Sequence, residues 1–123
     1  MQPEVLILDE PMAGLDSAMQ VELARILDRL HAAGMTIIIA THDIDFAYQW
    51  ADTLSILVQG RCAASWDVTQ VPDALDRFAS YGLGVPRVAE LHSSLARLGL
   101  LHSDNGYPRS HQELVGRLNG IKT

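Results

Sequence analysis

The sequence is poor in several residues that build common kinds of site. Only one of its 123 residues is a cysteine, Cys62, so no intrachain disulfide can form, which suits a reducing compartment. Lysine and arginine together number nine against fifteen acidic residues, and they form no basic run. A formal net charge of −6 without a basic patch argues against a nucleic-acid-binding surface.

Long hydrophobic runs are also missing. The longest apolar runs lie at residues 5–8 and 37–40, whereas a helix needs roughly 18 to 20 apolar residues to cross a bilayer. No basic segment followed by an apolar one opens the sequence, so we expect no signal peptide. Any association with a membrane is therefore expected to be peripheral. A hydrophobic content of 48% is nevertheless that of an ordinary globular domain.

Two short apolar runs predict buried strands with a helix between them. VLIL at residues 5–8 and TIIIA at residues 36–40 are typical of strands that helices cover on both faces of a parallel sheet. Between them, Ser17 and Gln20 have capping-box spacing, and Gly34 stands where a helix would end. The strand, helix, strand order predicts that the two strands are parallel.

Further along the chain the pattern becomes helical. A helix is predicted from Ile44, a strand at residues 54–58, and a hairpin partner at 62–66 after the turn at Gln59-Gly60. Helices are then predicted at residues 73–80, after Pro86, and from the capping box at Ser110. We therefore divide the chain into an α/β part, residues 1–70, and a helical C-terminal appendage, residues 71–123.

Polar residues follow both predicted strands. Asp9 and Glu10 end the first strand, and His42 follows the second. Ligands of open α/β sheets bind beyond the carboxyl ends of the strands, so these side chains converge if the strands are neighbours. An aspartate there can hold Mg²⁺ through water, and a glutamate pointing the other way off the extended chain can orient and deprotonate an attacking water. A histidine opposite can contact a transferring phosphoryl group, so the set suits phosphoryl transfer.

At these residues the sequence resembles the ABC ATPases. VLILDEP at residues 5–11 is similar to their Walker B strand, AGLD at 13–16 to their D-loop, and ATHD at 40–43 to their switch-histidine loop. The three motifs occur in the family's order and cover residues 3 to about 66. The resemblance implies an α/β fold, namely part of a P-loop NTPase sheet with parallel strands and a terminal hairpin.

The resemblance also implies ATP and Mg²⁺ as ligands and a role for each site residue. Asp9 would hold Mg²⁺ through water, and Glu10 would be the catalytic carboxylate that activates the hydrolytic water. His42 would contact the γ-phosphate. Asp16 would lie at the dimer interface and communicate between two nucleotide sites, although it could also be only a helix N-cap. Met12 stands where the family usually has threonine or serine, a change that we expect to be tolerated.

Three family motifs are not found in these residues. No G-x-x-x-x-G-K-[ST] loop is present to cradle phosphates, and neither a Q-loop nor an LSGGQ-like signature occurs. We therefore expect the chain to be a fragment, the C-terminal half of an ABC ATPase domain, that is inactive by itself.

The tail of the sequence resembles the C-terminal extension of cobalt and nickel energy-coupling transporter ATPases, over residues 76 to 118. YGLGVP at residues 81–86 and the leucine-rich segment after it carry the resemblance. In that family the extension helps two ATPase subunits to pair. The stripe formed by Val88, Leu91, Leu95 and Leu98 therefore either faces a second subunit or covers the chain's own core.

The function implied is ATP hydrolysis that drives import, with cobalt or nickel ions as cargo. The expected partners are a second ATPase subunit and integral membrane transporter subunits at the cytoplasmic face of the membrane, without nucleic acid. Three alternatives remain: the ATPase of another ABC transporter, a non-transport relative acting on DNA or ribosomes, and a non-catalytic interaction module. Cys62 is expected to be buried in a strand, and Trp50 and Trp66 are expected to serve packing. The remaining histidines have no metal-ligand spacing and are expected to lie at the surface or partly in the core: His31, His92, His102 and His111.

Overall fold

A computed structural model of the chain describes residues 4–101 and 106–119. By packing, the chain divides into two compact units, Met1–His42 and Asp43–Thr123. The division at residue 70, which rests on composition and resemblance, stays a prediction.

The first unit is a βαβ element. Strand β1 spans Val5–Asp9, helix α1 spans Ser17–Ala32 and strand β2 spans Thr36–Ala40. The two strands pair in parallel, with Val5 opposite Thr36 and Asp9 opposite Ala40. This confirms that the two strands are neighbours and brings both carboxyl ends to one edge.

Helix α1 begins at an aspartate rather than at the predicted capping box. The Asp16 side chain is the N-cap and accepts a hydrogen bond from the Met19 N–H at 2.9 Å. Gln20 has a different use, because its side-chain amide donates to the carbonyl oxygens of Met12 and Leu15 at 3.4 and 3.1 Å. The prediction of a Ser17–Gln20 capping box was therefore wrong, because the side chain of Asp16, one residue earlier, is the cap of this helix.

The end of α1 is as predicted. Gly34 has a φ of 101°, a left-handed conformation that costs glycine little because it has no Cβ. Its N–H donates to the His31 carbonyl at 3.0 Å, and the Met35 N–H donates to the Leu30 carbonyl at 3.1 Å. These bonds satisfy carbonyls of the last turn and lead the chain into β2.

The strands of the first unit are only half buried. Val5, Ile7 and Ile38 keep 60%, 70% and 52% of their surface exposed, and the residues between them are intermediate. The prediction of strands buried on both faces does not hold within this unit. A parallel sheet needs helices on both faces to bury it, and α1 is the one helix of the described residues in this unit.

The second unit begins with helix α2 and a hairpin. Helix α2 spans Ile44–Trp50, and strands β3, Thr53–Val58, and β4, Arg61–Asp67, pair antiparallel. The turn residues Gln59 and Gly60 have φ values of 50° and 78°, as a type I′ hairpin turn requires at both central positions. The hairpin predicted around Gln59-Gly60 is confirmed.

Helices follow the hairpin. A 3₁₀ helix spans Val68–Ala74 and contains Pro72, and helix α3 spans Leu75–Ser80. The predicted helix at residues 73–80 therefore begins as 3₁₀ and becomes α-helical at Leu75. Helix α4 spans Arg87–Arg97 after Pro86, and helix α5 spans His111–Asn119.

One hydrophobic cluster holds the second unit together, and its members lie on both sides of residue 70 in the sequence. It combines residues of α2, both hairpin strands, the 3₁₀ helix, α3 and α4: Tyr48, Leu54, Ile56, Trp66, Val68, Val71, Ala74, Phe78 and Ala89. The rings of Trp66 and Phe78 stack with their centroids 5.0 Å apart. The packing role predicted for Trp66 is confirmed, and the hairpin shares its core with the start of the helical appendage.

Helix α4 buries a different face from the predicted leucine stripe. Ala89 and His92 are fully buried and Val88 packs against the cluster, whereas Leu91 and Leu98 are 48% and 74% exposed. The His92 ring lies edge-on to Tyr107, with centroids 4.7 Å apart, and neither ring nitrogen has a hydrogen-bond partner within the described chain. Burial, with a smaller contribution from the charge of Arg117, lowers the pKa of His92.

An arginine fastens the last helical segment to α2. The Arg109 guanidinium donates to the carbonyls of Tyr48, at 3.0 Å, and Ala51, at 2.5 Å, at the C-terminal end of that helix. The Arg109 N–H donates to the Glu113 carboxylate at 3.1 Å, and the Ser110 hydroxyl accepts from the Glu113 N–H at 3.1 Å. The predicted cap at Ser110 therefore forms, although its glutamate reaches Arg109.

Two predictions about single residues need comment. Cys62 is exposed rather than buried, because it lies at the turn end of the hairpin opposite Leu57, which is itself 70% exposed. His31 and His111 are at the surface, and His102 lies outside the described residues. Among the helices of the described segments, none has both the length and the apolar composition that crossing a bilayer requires.

Candidate functional site

The site lies where β1 and β2 end together. Asp9 is the last residue of β1 and stands opposite Ala40, the last residue of β2. Glu10 follows the first strand, and Thr41 and His42 follow the second. The parallel register therefore places the two polar segments side by side within the first unit.

Glu10 has an unusual backbone conformation. Its φ is 47°, in the left-handed region that residues with a Cβ seldom adopt. Its N–H donates to the Ala40 carbonyl at 2.8 Å, and its own carbonyl accepts from the Ala13 N–H at 3.1 Å. The expectation that Glu10 continues an extended strand was wrong, because the chain turns at this residue and the turn directs its side chain toward β2. Such a conformation costs about 1–3 kcal/mol and occurs most often at functional sites.

Three donors of one loop hold the Glu10 carboxylate. Oε1 lies 2.7 Å from the His42 backbone nitrogen and 2.6 Å from His42 Nδ1. Oε2 accepts from the Thr41 hydroxyl at 3.0 Å. The carboxylate side chain is 36% exposed and the His42 side chain 97% exposed, so the pair faces solvent while its orientation is fixed.

The hydrogen bonds determine the protonation of this pair. An ionised carboxylate only accepts, so Nδ1 of His42 carries the proton while Glu10 is ionised. The His42 ring is the largest cause of a lowered Glu10 pKa. The His42 N–H lowers that pKa further, burial raises it, and the Thr41 hydroxyl contributes a smaller lowering. The arrangement keeps Glu10 charged and leaves Nε2 of His42 open.

Asp9, the residue directly before Glu10, is exposed at the end of β1. Within residues 4–101 and 106–119, no group of three or more His, Cys, Asp or Glu side chains could hold a metal ion. A carboxylate at the end of a strand suits Mg²⁺, which commonly takes one or two carboxylates and fills its remaining positions with water and phosphate oxygens.

The segment between Glu10 and α1 is ordered by polar contacts. Gln20 binds two of its carbonyls, and Met12 is buried, with 8% of its surface exposed. Asp16 at its end is exposed, and one oxygen of its carboxylate already caps α1. The structure thus brings Asp9, Glu10 and His42 to one edge and places Asp16 at the start of the helix.

Two contributors to the site were not singled out from the sequence. Thr41 binds the Glu10 carboxylate, and Gln20 secures the segment before α1. Thr41 could have been found from its position directly before His42, because both residues follow β2. The signal for Gln20 was its spacing from Ser17, which pointed to the correct turn but the wrong partner.

Comparisons with known proteins find relatives of this chain. A family model described as "AAA domain, putative AbiEii toxin, Type IV TA system" matches residues 1–46, the part that contains all four predicted site residues. The energy-coupling factor transporter ATP-binding protein EcfA2 of Streptococcus sanguinis is 42% identical over 98% of this chain. The cobalt import ATP-binding protein CbiO of Rhodobacter capsulatus is 38% identical, also over 98% of it. The chain covers 42% and 43% of those two relatives.

Solved structures show the same relationship. The structure of cbiO1 from Clostridium perfringens, part of the ABC transporter complex cbiONQ, superposes with a TM-score of 0.51 and is 36% identical. An ATP-binding subunit of an ABC transporter superposes with a TM-score of 0.54 and is 28% identical. These matches cover 74% and 76% of this chain and 37% of each known structure. The chain is therefore similar to ABC transporter ATP-binding subunits, with energy-coupling factor and cobalt import proteins among the relatives that it matches over less than half of their length.

Proposed function

We propose that this chain is part of the ATP-hydrolysing subunit of an energy-coupling ABC importer whose cargo is a cobalt or nickel ion. The observation that carries the proposal is the pairing of Glu10 with His42, 2.6 Å apart, at the carboxyl edge of two parallel strands. The cargo rests on relatives such as the cobalt import protein of Rhodobacter capsulatus. The family-model match ends at residue 46, whereas similarity to transporter subunits continues along the chain, which favours transport over a non-transport ATPase.

Glu10 is the general base of the proposed reaction. Water attacks the γ-phosphorus of ATP, the bond to the ADP oxygen breaks, and Glu10 takes the proton of the attacking water. An acceptor with a low pKa stays ionised at neutral pH, so the base needs no prior deprotonation. Its contacts with His42 and Thr41 fix the direction of the accepting oxygen.

His42 senses the transferring phosphoryl group in this proposal. With the Nδ1 proton directed at Glu10, a neutral ring can only accept at Nε2. Contact with a phosphate oxygen through Nε2 therefore requires the imidazolium form, or separation of the ring from Glu10. Either change couples the arrival of the γ-phosphate to the carboxylate that activates water.

Asp9 is the residue that would hold Mg²⁺, through water, at this edge of the sheet. The bound ion would neutralise phosphate charge as transfer proceeds. Asp16 lies near a second ATPase subunit in the proposed dimer. The importer would also contain integral membrane subunits, so the protein would be peripheral at the cytoplasmic membrane face.

The test of the proposal is Glu10→Gln in the full-length subunit that carries this chain. The amide keeps the size of the side chain but loses its basicity, so we expect hydrolysis to fall by about 10²–10⁴-fold with ATP binding retained. Glu22→Gln is the matched control, because Glu22 is exposed on α1 and pairs only with Arg25 in the contacts seen here. Near-normal turnover of Glu10→Gln would refute the role of Glu10.

The 123 residues hold no phosphate-binding loop of the G-x-x-x-x-G-K-[ST] type. Most of the binding energy for nucleotide in P-loop proteins comes from that loop and its lysine. We therefore propose that hydrolysis belongs to the full-length subunit and that the 123 residues by themselves hydrolyse no ATP.

A further inference from the structure

We infer that Thr41 is a positioning residue for Glu10, whose carboxylate it orients through the oxygen that His42 does not contact. The inference rests on the proposed function, since it assigns a role within the same hydrolytic site. The relevant contact is the bond from the Thr41 hydroxyl to Glu10 Oε2, at 3.0 Å and partly buried.

The two oxygens of the Glu10 carboxylate have different partners. Oε1 receives both His42 donors, whereas the Thr41 hydroxyl binds Oε2. The last torsion of a glutamate side chain is broad, so a carboxylate anchored through one oxygen can still turn. A second anchor on the other oxygen fixes the plane of the group.

The backbone supports the same role. Thr41 directly follows Ala40, whose carbonyl accepts the Glu10 N–H at 2.8 Å. The last residue of β2 and the residue after it therefore hold both the left-handed backbone of Glu10 and the end of its side chain. The branched Cβ of threonine restricts the χ1 torsion that aims the hydroxyl.

In this arrangement the two carboxylate oxygens have different roles during turnover. When the His42 ring leaves Oε1 to contact a phosphoryl group, that oxygen keeps only the His42 backbone N–H and can accept the proton of the attacking water. Thr41 stays on Oε2 and keeps the freed oxygen in position. Loss of the hydroxyl should therefore impair the chemical step while the binding of ATP is unchanged.

The experiment compares three variants of the full-length subunit. Thr41→Val removes the hydroxyl at almost constant shape, Thr41→Ser keeps it, and Thr36→Val removes an exposed hydroxyl from the other end of the same strand. Because small displacements of a catalytic group can cost up to about 100-fold in rate, we expect Thr41→Val to lower kcat about 10- to 100-fold. We expect the KM for ATP, the Kd for MgATP by calorimetry and the melting temperature to stay as in the parent.

Thr41→Ser should recover most of the lost kcat, and Thr36→Val should behave like the parent. The double variant Glu10→Gln/Thr41→Val should be about as slow as Glu10→Gln alone, because the two residues act as one unit. A parent-like kcat for Thr41→Val, or equal defects in Thr41→Val and Thr41→Ser, would overturn the inference. A parallel rise in KM and Kd would overturn it as well.

Failure of the inference can be told apart from failure of the proposed function. If Glu10→Gln is slow and Thr41→Val is normal, Glu10 keeps its role and Thr41 loses the role assigned here. If Glu10→Gln itself turns over normally, the proposed function fails and the inference fails with it.

Discussion

The two units of the chain differ in how they bury hydrophobic surface. In the described part of Met1–His42, the buried hydrophobic residues are Met12 and Leu27, and several strand and helix residues remain half exposed. The second unit, Asp43–Thr123, builds a cluster of nine buried residues from its helices and its hairpin. All four predicted site residues nevertheless lie in the first unit.

The two units are therefore ordered by different interactions, the second by apolar packing and the site of the first by hydrogen bonds. The second unit is held by apolar contacts distributed over many residues. The site of the first unit is held by a strand register and by a few short polar bonds, among them those to Glu10. We therefore expect substitutions in the two units to affect different measurements, and four of them test this.

The largest effect is expected in the core of the second unit. Phe78 is 1% exposed and stacks on Trp66, so Phe78→Ala should lower the free energy of unfolding by about 3–5 kcal/mol. Ile38→Ala, at a strand position that is 52% exposed, should cost less than about 1 kcal/mol in the 123-residue chain. Denaturant unfolding followed by circular dichroism measures both. Equal costs would remove the distinction between the two units.

The next effect is expected at the site. His42→Ala in the full-length subunit should lower hydrolysis by about 10²–10³-fold, the loss typical when a group that stabilises transition-state charge is removed. The affinity for ADP should stay the same, because the proposed contact is with the γ-phosphate. Steady-state kinetics and calorimetry with ADP test the two parts. A matching loss of ADP affinity would point to misfolding, and His31→Ala, at an exposed position on α1, controls for the loss of a histidine.

A smaller effect concerns pairing of subunits. Leu91 and Leu98 are exposed on α4, whereas Ala89 and His92 face the core, so the double variant Leu91→Glu/Leu98→Glu should not unfold the chain. If these leucines contact a second subunit, the Kd of the dimer should rise at least about tenfold, which corresponds to a loss of about 1.4 kcal/mol of binding free energy. Light scattering at several concentrations, together with melting curves, provides the measurement. An unchanged dimer would show that Leu91 and Leu98 do not contact a second subunit.

The smallest effect is expected at the start of α1. Asp16→Ala removes the N-cap that accepts from Met19 at 2.9 Å and should cost about 1 kcal/mol of stability. Asp16→Asn keeps an acceptor at the cap and should restore most of that stability. If Asn restores stability while hydrolysis by the full-length subunit stays low, Asp16 has an interface role beyond capping. If Asn restores both, capping alone explains the residue.

Much of the fold and of the site follows from local sequence patterns. The apolar runs at residues 5–8 and 36–40, with Gly34 between helix and strand, were sufficient to predict two parallel strands and the convergence of Asp9, Glu10 and His42. The turn at Gln59-Gly60 located the hairpin in the same way. Such features succeed because each depends on the conformational preference of a few adjacent residues.

Other features depend on residues that are distant in the sequence. The left-handed conformation of Glu10 is stabilised by β2, some thirty residues away, and no preference of glutamate predicts it. The burial of His92 on α4 reflects packing against Tyr107, and the leucines of the same helix were the better hydrophobic signal. The exposure of Cys62 follows from where the hairpin ends.

The contact between Arg109 and the end of α2 has a consequence for the order in which the chain folds. Its hydrogen bonds to Tyr48 and Ala51 join residues 61 and 58 positions apart. Closing so long a loop is slow compared with forming local helices and hairpins. During synthesis, the carbonyls at the end of α2 lack this partner until Arg109 has been made. The hairpin has by then had time to pair. Subunits interrupted before residue 109 would therefore expose an uncapped helix end to the quality-control machinery of the cell.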